Sequence, residues 1–177
     1  MGFSVTITSS IILIVMFALA STMLITIFQG FREVSYAAGE HLRLERERSE
    51  VALQLSVNSA NTTSCVFTVK NVGSRVIFLE RQNGFSWNTI ILSYSDGSTW
   101  HSYPIENYQV LEVKVSNTSY TFDPASHPYI NPGEEATIFL KIPQGSPRIP
   151  DGGLISVVFV THYGVAVYAE ALAEGSP

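Results

Sequence analysis

Cysteine is nearly absent from this sequence, and charge is scarce. Cys65 is the single cysteine among 177 residues, which excludes an intrachain disulfide and a zinc site built on several thiolates. Charged residues make up 14% of the chain, against roughly one quarter in average proteins. The deficit lies in residues 1–31, which contain no Asp, Glu, Lys or Arg. The net charge of −5 gives no electrostatic support for nucleic-acid binding.

The motifs that mark common catalytic sites are also missing. The chain has no G-x-S-x-G, no Walker loop and no G-x-G-x-x-G. No metal-ligand spacing links the histidines, which are His41, His101, His127 and His162. Glu134 and Glu135 are adjacent, so in a strand their side chains point to opposite faces and do not share acid–base work. We therefore predict no enzyme activity, no catalytic residue, no cofactor and no metal site.

One long apolar run dominates the start of the chain. The 24 residues from Val5 to Phe28 would rise about 36 Å as a helix, enough to cross a hydrocarbon core of about 30 Å. Ala18-Leu19-Ala20 resembles a signal-peptidase site, but it lies inside the run and no basic segment precedes it. Gly2-Phe3 resembles a prepilin cleavage point, yet Ile7 stands where pilins tend to carry Glu. The run is predicted to stay as a single transmembrane helix over 1–31.

A charged segment follows at 32–50, and it reads as a helical stalk. Oppositely charged residues recur at helical spacings of three and four, as in Glu40/Arg43 and Arg43/Glu47. The stalk also holds most of the basic residues near the span, which by the positive-inside rule favours the cytoplasm for that side. Interleaved glutamates accompany these arginines. We predict that the domain after the stalk lies on the extracellular side.

From residue 51 the apolar pattern changes from helical to alternating. In VALQLSVN the side chains of Val51, Leu53, Leu55 and Val57 fall on one face, as in a half-buried strand. Further strand patterns follow at 65–71, 75–80, 87–95, 99–103, 108–116, 135–143, 154–162 and 165–172, separated by Asn, Asp, Gly and Pro turn signals. The predicted fold is mainly β, with an immunoglobulin-like β-sandwich over 51–177 after the helix and stalk. Cys65 is predicted to be buried in it.

Two kinds of surface site are candidates within the sandwich. Asn61-Thr62-Thr63 and Asn117-Thr118-Ser119 match the N-glycosylation sequon and lie in polar turn segments. Aromatic residues crowd the middle strands, and those exposed at the surface are candidates for a protein-docking patch. These aromatic candidates are Trp87, Tyr94, Trp100, Tyr103 and Tyr108.

The chain opens with MGFSVT and continues as a bare apolar helix and a short charged stalk. The sandwich contains the motifs VKNVGS, NPGEE and VVFVTHYGVAVYAE. Together these features resemble the archaellum F protein family (FlaF/ArlF) of archaea. The resemblance implies a non-enzymatic motor component whose N-terminal helix stays in the cell membrane. It also implies a sandwich in the pseudoperiplasm that binds the S-layer protein and partners with the archaellum G protein. Such a component acts as a stator, as a homodimer or a hetero-oligomer.

Two other functions fit the same layout. An archaellin or pilin-like filament subunit also joins an apolar helix to a sandwich, but such a chain carries a basic leader with a prepilin cleavage site. A membrane-anchored module that binds an S-layer or a sugar is the other alternative. A membrane-tethered hydrolase has no constellation of residues behind it.

Overall fold

The computed structural model describes residues 2–79, 81–82, 85–105 and 107–174. The chain divides into two compact units, Met1–Arg46 and Glu47–Pro177. The first unit is helical and the second is built from β-strands, with the last helical residues at its start.

Helix α1 runs without interruption through Gly2–Ser49. No proline falls within it, and its hydroxyl side chains bond back to helix carbonyls: Ser21 Oγ donates to Phe17 O at 2.7 Å, and Thr26 Oγ1 donates to Thr22 O at 2.9 Å. These bonds satisfy polar groups that would otherwise face lipid. In the described range Ile7–Ser49 the helix is long and apolar enough to cross a membrane, and its most apolar 18-residue window has a mean hydropathy of 2.7 and no buried residues.

The charged part of α1 is exposed and carries ion pairs of the kind that the spacing predicts. Arg43 Nη2 lies 2.7 Å from Glu40 Oε1, three residues earlier. The hydrogen bond from Arg43 lowers the pKa of Glu40 below its ordinary value. Exposed pairs of this kind contribute little to helix stability, because solvent screens them.

Thirteen strands follow the helix within the described residues, and they pair antiparallel throughout. In chain order they are β1 Leu53–Ala60, β2 Ser64–Asn71, β3 Ile77–Phe78, β4 Arg81–Gln82, β5 Phe85–Ser86, β6 Thr89–Ser95, β7 Trp100–Ile105, β8 Tyr108–Val115, β9 Thr121–Phe122, β10 Tyr129–Ile130, β11 Glu134–Lys141, β12 Leu154–Val160 and β13 Ala166–Leu172. One main sheet has the order β1-β2-β11-β8-β9 and the other has the order β13-β12-β6-β7. Two small two-stranded sheets, β10-β3 and β4-β5, complete the pairing.

The core lies between the two main sheets. Because successive strand residues point to opposite faces, every second residue of β2, β6, β11 and β12 is buried. The largest fully buried side chains are Tyr94, Phe67, Phe159, Ile77, Ile90, Leu92, Ile130, Ile138, Leu140, Ile149, Ile155 and Val69. Cys65 is buried with them, and burial raises the pKa of its thiol to about 12. The predicted fold, an apolar helix followed by an antiparallel β-sandwich, is confirmed.

Several strands are shorter than the predicted runs. In the run at 75–80 the strand is Ile77–Phe78, which pairs with β10. Leu79 N donates to Pro128 O at 2.8 Å beside this pair, and Glu80 lies outside the described residues. The strand predicted over 87–95 is Thr89–Ser95, and the one predicted over 154–162 is Leu154–Val160. The two-residue strands β4, β5, β9 and β10 were not predicted, because a pair of residues shows no periodicity.

Candidate functional site

The NVGS and NPGEE motifs meet in one buried junction. Asn71 Nδ2 donates to Ile130 O at 3.0 Å and to Arg75 O at 2.6 Å. Gly133 N donates to Asn71 O at 2.9 Å. The motifs therefore hold the turn after β2 against the turn before β11. This structural role explains why these residues occur in the two motifs, without a role in binding.

The residues that follow the helix, Glu50 to Ala52, pack against the same junction. A Cβ on Gly73 would collide with Ala52 N and lie 2.6 Å from Glu50 O, so this position accepts only glycine without a backbone shift. Arg75 Nε lies 2.7 Å from Glu50 Oε2. Arg48 Nε donates to Tyr163 O at 3.2 Å. The end of the helix and the sandwich are thus joined by specific polar contacts within one compact unit.

A second polar cluster surrounds Glu134. Its Oε2 atom lies 2.9 Å from His127 Nε2 and accepts a hydrogen bond from Asn131 N at 2.8 Å. The His127 ring lies between Phe122, at a centroid distance of 4.4 Å, and Tyr129, at 4.0 Å. Desolvation raises the pKa of Glu134, but the hydrogen bonds from His127 and Asn131 together bring it below its ordinary value. Glu135 points the other way and pairs with Lys114 at 3.2 Å, as the sequence predicts for adjacent strand residues.

Three of the five aromatic candidates face inward. Tyr94 is fully buried in the core, its hydroxyl donates to Pro147 O at 2.6 Å, and burial raises its pKa to about 12. Tyr103 and Tyr108 are partly buried against the core. Tyr94 is therefore not available to a partner, which corrects its place among the docking candidates.

The two tryptophans differ in exposure. Trp87 is half-buried in a ring cluster, 5.7 Å from Phe78 and 5.4 Å from His162. Burial lowers the pKa of His162, which favours the neutral imidazole. Trp100 is 57% exposed at the start of β7, opposite Ser95 on β6. Trp100 is the aromatic candidate most available for contact, and its docking role stays a prediction.

Both sequon asparagines lie at the surface. Asn61 Oδ1 accepts hydrogen bonds from Thr63 N at 2.9 Å and from Ser64 N at 2.8 Å in the turn before β2. Asn117 has a φ of 62° in the turn between β8 and β9, a conformation that asparagine tolerates better than most residues. Their exposure is compatible with glycosylation, which stays a prediction.

The outer faces of the two main sheets differ in chemistry. The outer face of the five-stranded sheet forms a surface depression of about 580 Å³ with a mostly polar lining. Its lining is Gln54, Leu55, Ser56, Asn58, Thr68, Lys70, Lys114 and Glu135. The outer face of the four-stranded sheet exposes Leu154, Tyr168 and Leu172 beside Trp100. These three residues are not among the predicted site residues, although the strands at 154–160 and 166–172 carry apolar side chains on both faces, which is a signal of such a surface.

No family model matches this chain, and no curated protein sequence matches it at a significant level. Several of the solved structures that it resembles are archaellum components. The chain is similar to "The archaeal flagellum of Methanospirillum hungatei strain JF1" with a TM-score of 0.61 and 12% identity, over 95% of this chain and 93% of that chain. The similarity includes helix and sandwich together.

Two smaller likenesses involve Sulfolobus acidocaldarius. The periplasmic stator protein FlaG gives a TM-score of 0.42 at 14% identity, over 68% of this chain and 100% of that one. The stator complex of FlaF and FlaG gives 0.42 at 15% identity, over 67% and 88%. Because both scores are below 0.5, the shared fold rests on the flagellum chain. The resemblance drawn from the sequence is confirmed at the level of the fold.

Proposed function

We propose that this chain is a membrane-anchored structural component of the archaellum motor, a stator subunit. Residues 1–31 are its membrane helix, 32–50 its stalk and 51–177 its extracellular domain. In this proposal the sandwich lies in the pseudoperiplasm, binds the S-layer protein and pairs with the archaellum G protein.

The fold likeness to the archaeal flagellum chain over 95% of this chain supports a structural role in the archaellum. The apolar helix supports it, because its exposed side chains, such as Phe17 at 66% exposure, need lipid or another protein around them. The MGFSVT opening and the sandwich motifs support the F family over other components.

The junction at the start of the sandwich suits a component that resists torque. Glu50–Arg75 and Arg48–Tyr163 are contacts on different loops, and Gly73 allows a close backbone approach beside them.

A filament subunit is the second candidate, and the same likeness to a flagellum chain favours it. The two functions differ in what surrounds the apolar helix. A filament subunit packs this helix against helices of its neighbours, whereas a stator subunit keeps it in lipid. The location of the protein in the cell therefore separates them.

S-layer binding is tested with the full chain in lipid nanodiscs and solubilised S-layer protein. We expect saturable binding that empty nanodiscs do not show. Tryptophan fluorescence reports whether the sandwich is folded, because both tryptophans lie in it. Absence of binding by the folded protein would remove the S-layer part of the proposal and leave the membrane anchor in place.

A further inference from the structure

The outer face of the sheet β13-β12-β6-β7 is organised in rows that cross the strands. We call this surface the apolar face, and define it by the outward residues of these four strands. One row is Tyr168, Val158, Ile91 and Pro104, which are partners in register across the whole sheet. Every member of this row is apolar, and Tyr168 is 72% exposed.

A second apolar set lies toward the other end of the strands. Leu172 pairs with Leu154 at one side of the sheet, and Trp100 pairs with Ser95 at the other. Leu172 is 63% exposed. Large side chains exposed in contiguous rows are typical of an interaction surface rather than of a free surface.

A polar row separates the two apolar sets. Glu170, Ser156, Ser93 and Ser102 are partners in register from β13 to β7. Ser93 Oγ and Ser102 Oγ lie 2.8 Å apart and satisfy each other. The row ends in the Glu170 carboxylate, which is exposed and has no ion-pair partner among the described residues.

Glu170 is also the only charged residue among the outward residues described on this face. On the opposite side of the sandwich, by contrast, Glu135 already pairs with Lys114. A partner that covers the apolar face buries the Glu170 charge, and a buried carboxylate needs a cation or several hydrogen bonds. The chemistry of the face therefore specifies the chemistry of its partner.

We propose that the apolar face binds a second, different polypeptide whose contact surface is apolar and carries one Lys or Arg opposite Glu170. The proposal rests on the proposed function only in taking that polypeptide to be a component of the same motor. A second copy of this chain that docks by the same face fits poorly, because it brings another carboxylate and no cation. An anionic lipid surface fits poorly for the same reason, since the face offers no basic residue to a phosphate.

The test uses photo-crosslinking of the full chain in native membranes. A photoreactive phenylalanine analogue replaces Tyr168, and the matched control replaces Thr68 on the outer face of the other sheet. We expect the Tyr168 probe to form an adduct with a different chain, mapped by mass spectrometry to a peptide that contains Lys or Arg. The Thr68 probe should not form that adduct.

Charge reversal identifies the contact. Glu170→Lys should lower the adduct yield about tenfold, the effect of losing one desolvated ion pair at an interface. Glu112→Lys, on the outer face of the other sheet, should leave the yield unchanged. Replacing the mapped Lys or Arg of the partner by Glu should restore the yield with Glu170→Lys. If Glu170→Lys unfolds the sandwich, Glu170→Gln replaces it and should still lower the yield.

Several results would overturn the proposal: adducts only with a second copy, with lipid or with glycan, no adduct above the Thr68 control, or a yield that Glu170→Lys and Glu170→Gln leave unchanged. A specific, charge-dependent adduct with a chain outside the motor would keep the proposed face and contradict the stator function. Saturable S-layer binding without any Tyr168 adduct would support the stator function and contradict the proposed face.

Discussion

Asn71 joins two turns that are far apart in the sequence: its Nδ2 atom donates to Ile130 O at 3.0 Å, and both residues are fully buried. The same side chain also accepts a hydrogen bond from Gly73 N at 3.1 Å. One amide thus closes the turn of its own motif and fixes the strand that leads to the other motif. This contact sits beside the point where the helix enters the sandwich.

Replacing Asn71 by alanine should destabilise the sandwich by about 3 kcal/mol, because it removes a buried amide that bonds to Arg75 O, Ile130 O and Gly73 N. Urea unfolding of the full chain in detergent, followed by tryptophan fluorescence, measures this change. Asn58→Ala is the matched control, since Asn58 bonds only to Thr68 at the surface, and it should change stability by less than about 0.5 kcal/mol. Equal effects from the two variants would contradict the role of the junction.

Gly73→Ala should destabilise the sandwich by more than about 1 kcal/mol, because the new Cβ collides with backbone that has no room to move. Val72→Ala is the neighbouring control, and Val72 is partly exposed. The same unfolding assay applies. A Gly73→Ala variant as stable as the native chain would show that the backbone at Ala52 and Glu50 leaves room for a Cβ at position 73.

The stability of the sandwich should fall as the pH drops below about 4.5, the ordinary value for Glu134. The folded state holds this pKa lower than the unfolded state does, so the carboxylate stabilises the fold above that pH and loses its effect as it is protonated. Glu134→Gln should be less stable at pH 7 and should decline less on acidification. Unfolding midpoints between pH 7 and pH 3 measure both effects.

Asp96→Asn serves as the comparison for this pH dependence. Hydrogen bonds from His101, Thr99 and Ser98 lower the pKa of Asp96 from its ordinary value of 3.8 to about 2. Its contribution to stability therefore begins to be lost below about 3.8, whereas that of Glu134 begins to be lost below about 4.5. The Asn variant should keep the decline below pH 4.5. If it removed that decline, the assignment to Glu134 would be wrong.

Cys65 should resist thiol reagents in the folded protein at neutral pH. Its pKa of about 12 leaves almost no thiolate, and its side chain is buried between the sheets. Alkylation followed by intact mass should be slow in native buffer and fast in denaturant. Rapid modification of the native chain would contradict the packing of β2.

Much of the fold could be predicted because alternation and apolar length are local signals. Ser64–Asn71 and Leu154–Val160 are strands at almost the predicted positions, since every second side chain enters the core. The apolar face could not be predicted from local sequence patterns. It depends on which strands are neighbours in a sheet, and Tyr168, Val158 and Ile91 form one row only through the register of β13, β12 and β6.

The aromatic candidates show the same limit. Tyr94 and Trp100 lie on neighbouring strands and look equivalent in sequence, yet one fills the core and the other faces outward. Alternate residues of a strand point to opposite faces, so the position of each aromatic residue along its strand determines whether it points inward or outward. The turn at Asp96 sets these positions, and in it Asp96 N donates to Thr99 O at 3.1 Å. A one-residue change in that turn would exchange the two faces of β7.

The location of the protein tests the stator proposal most directly. Filaments sheared from cells and the remaining membranes are compared by quantitative mass spectrometry, with the main filament subunit as the reference. We expect the chain to stay in the membrane fraction and to be absent from the filaments along their length. Its presence in sheared filaments in amounts comparable with the main subunit would contradict the stator function and establish a filament subunit.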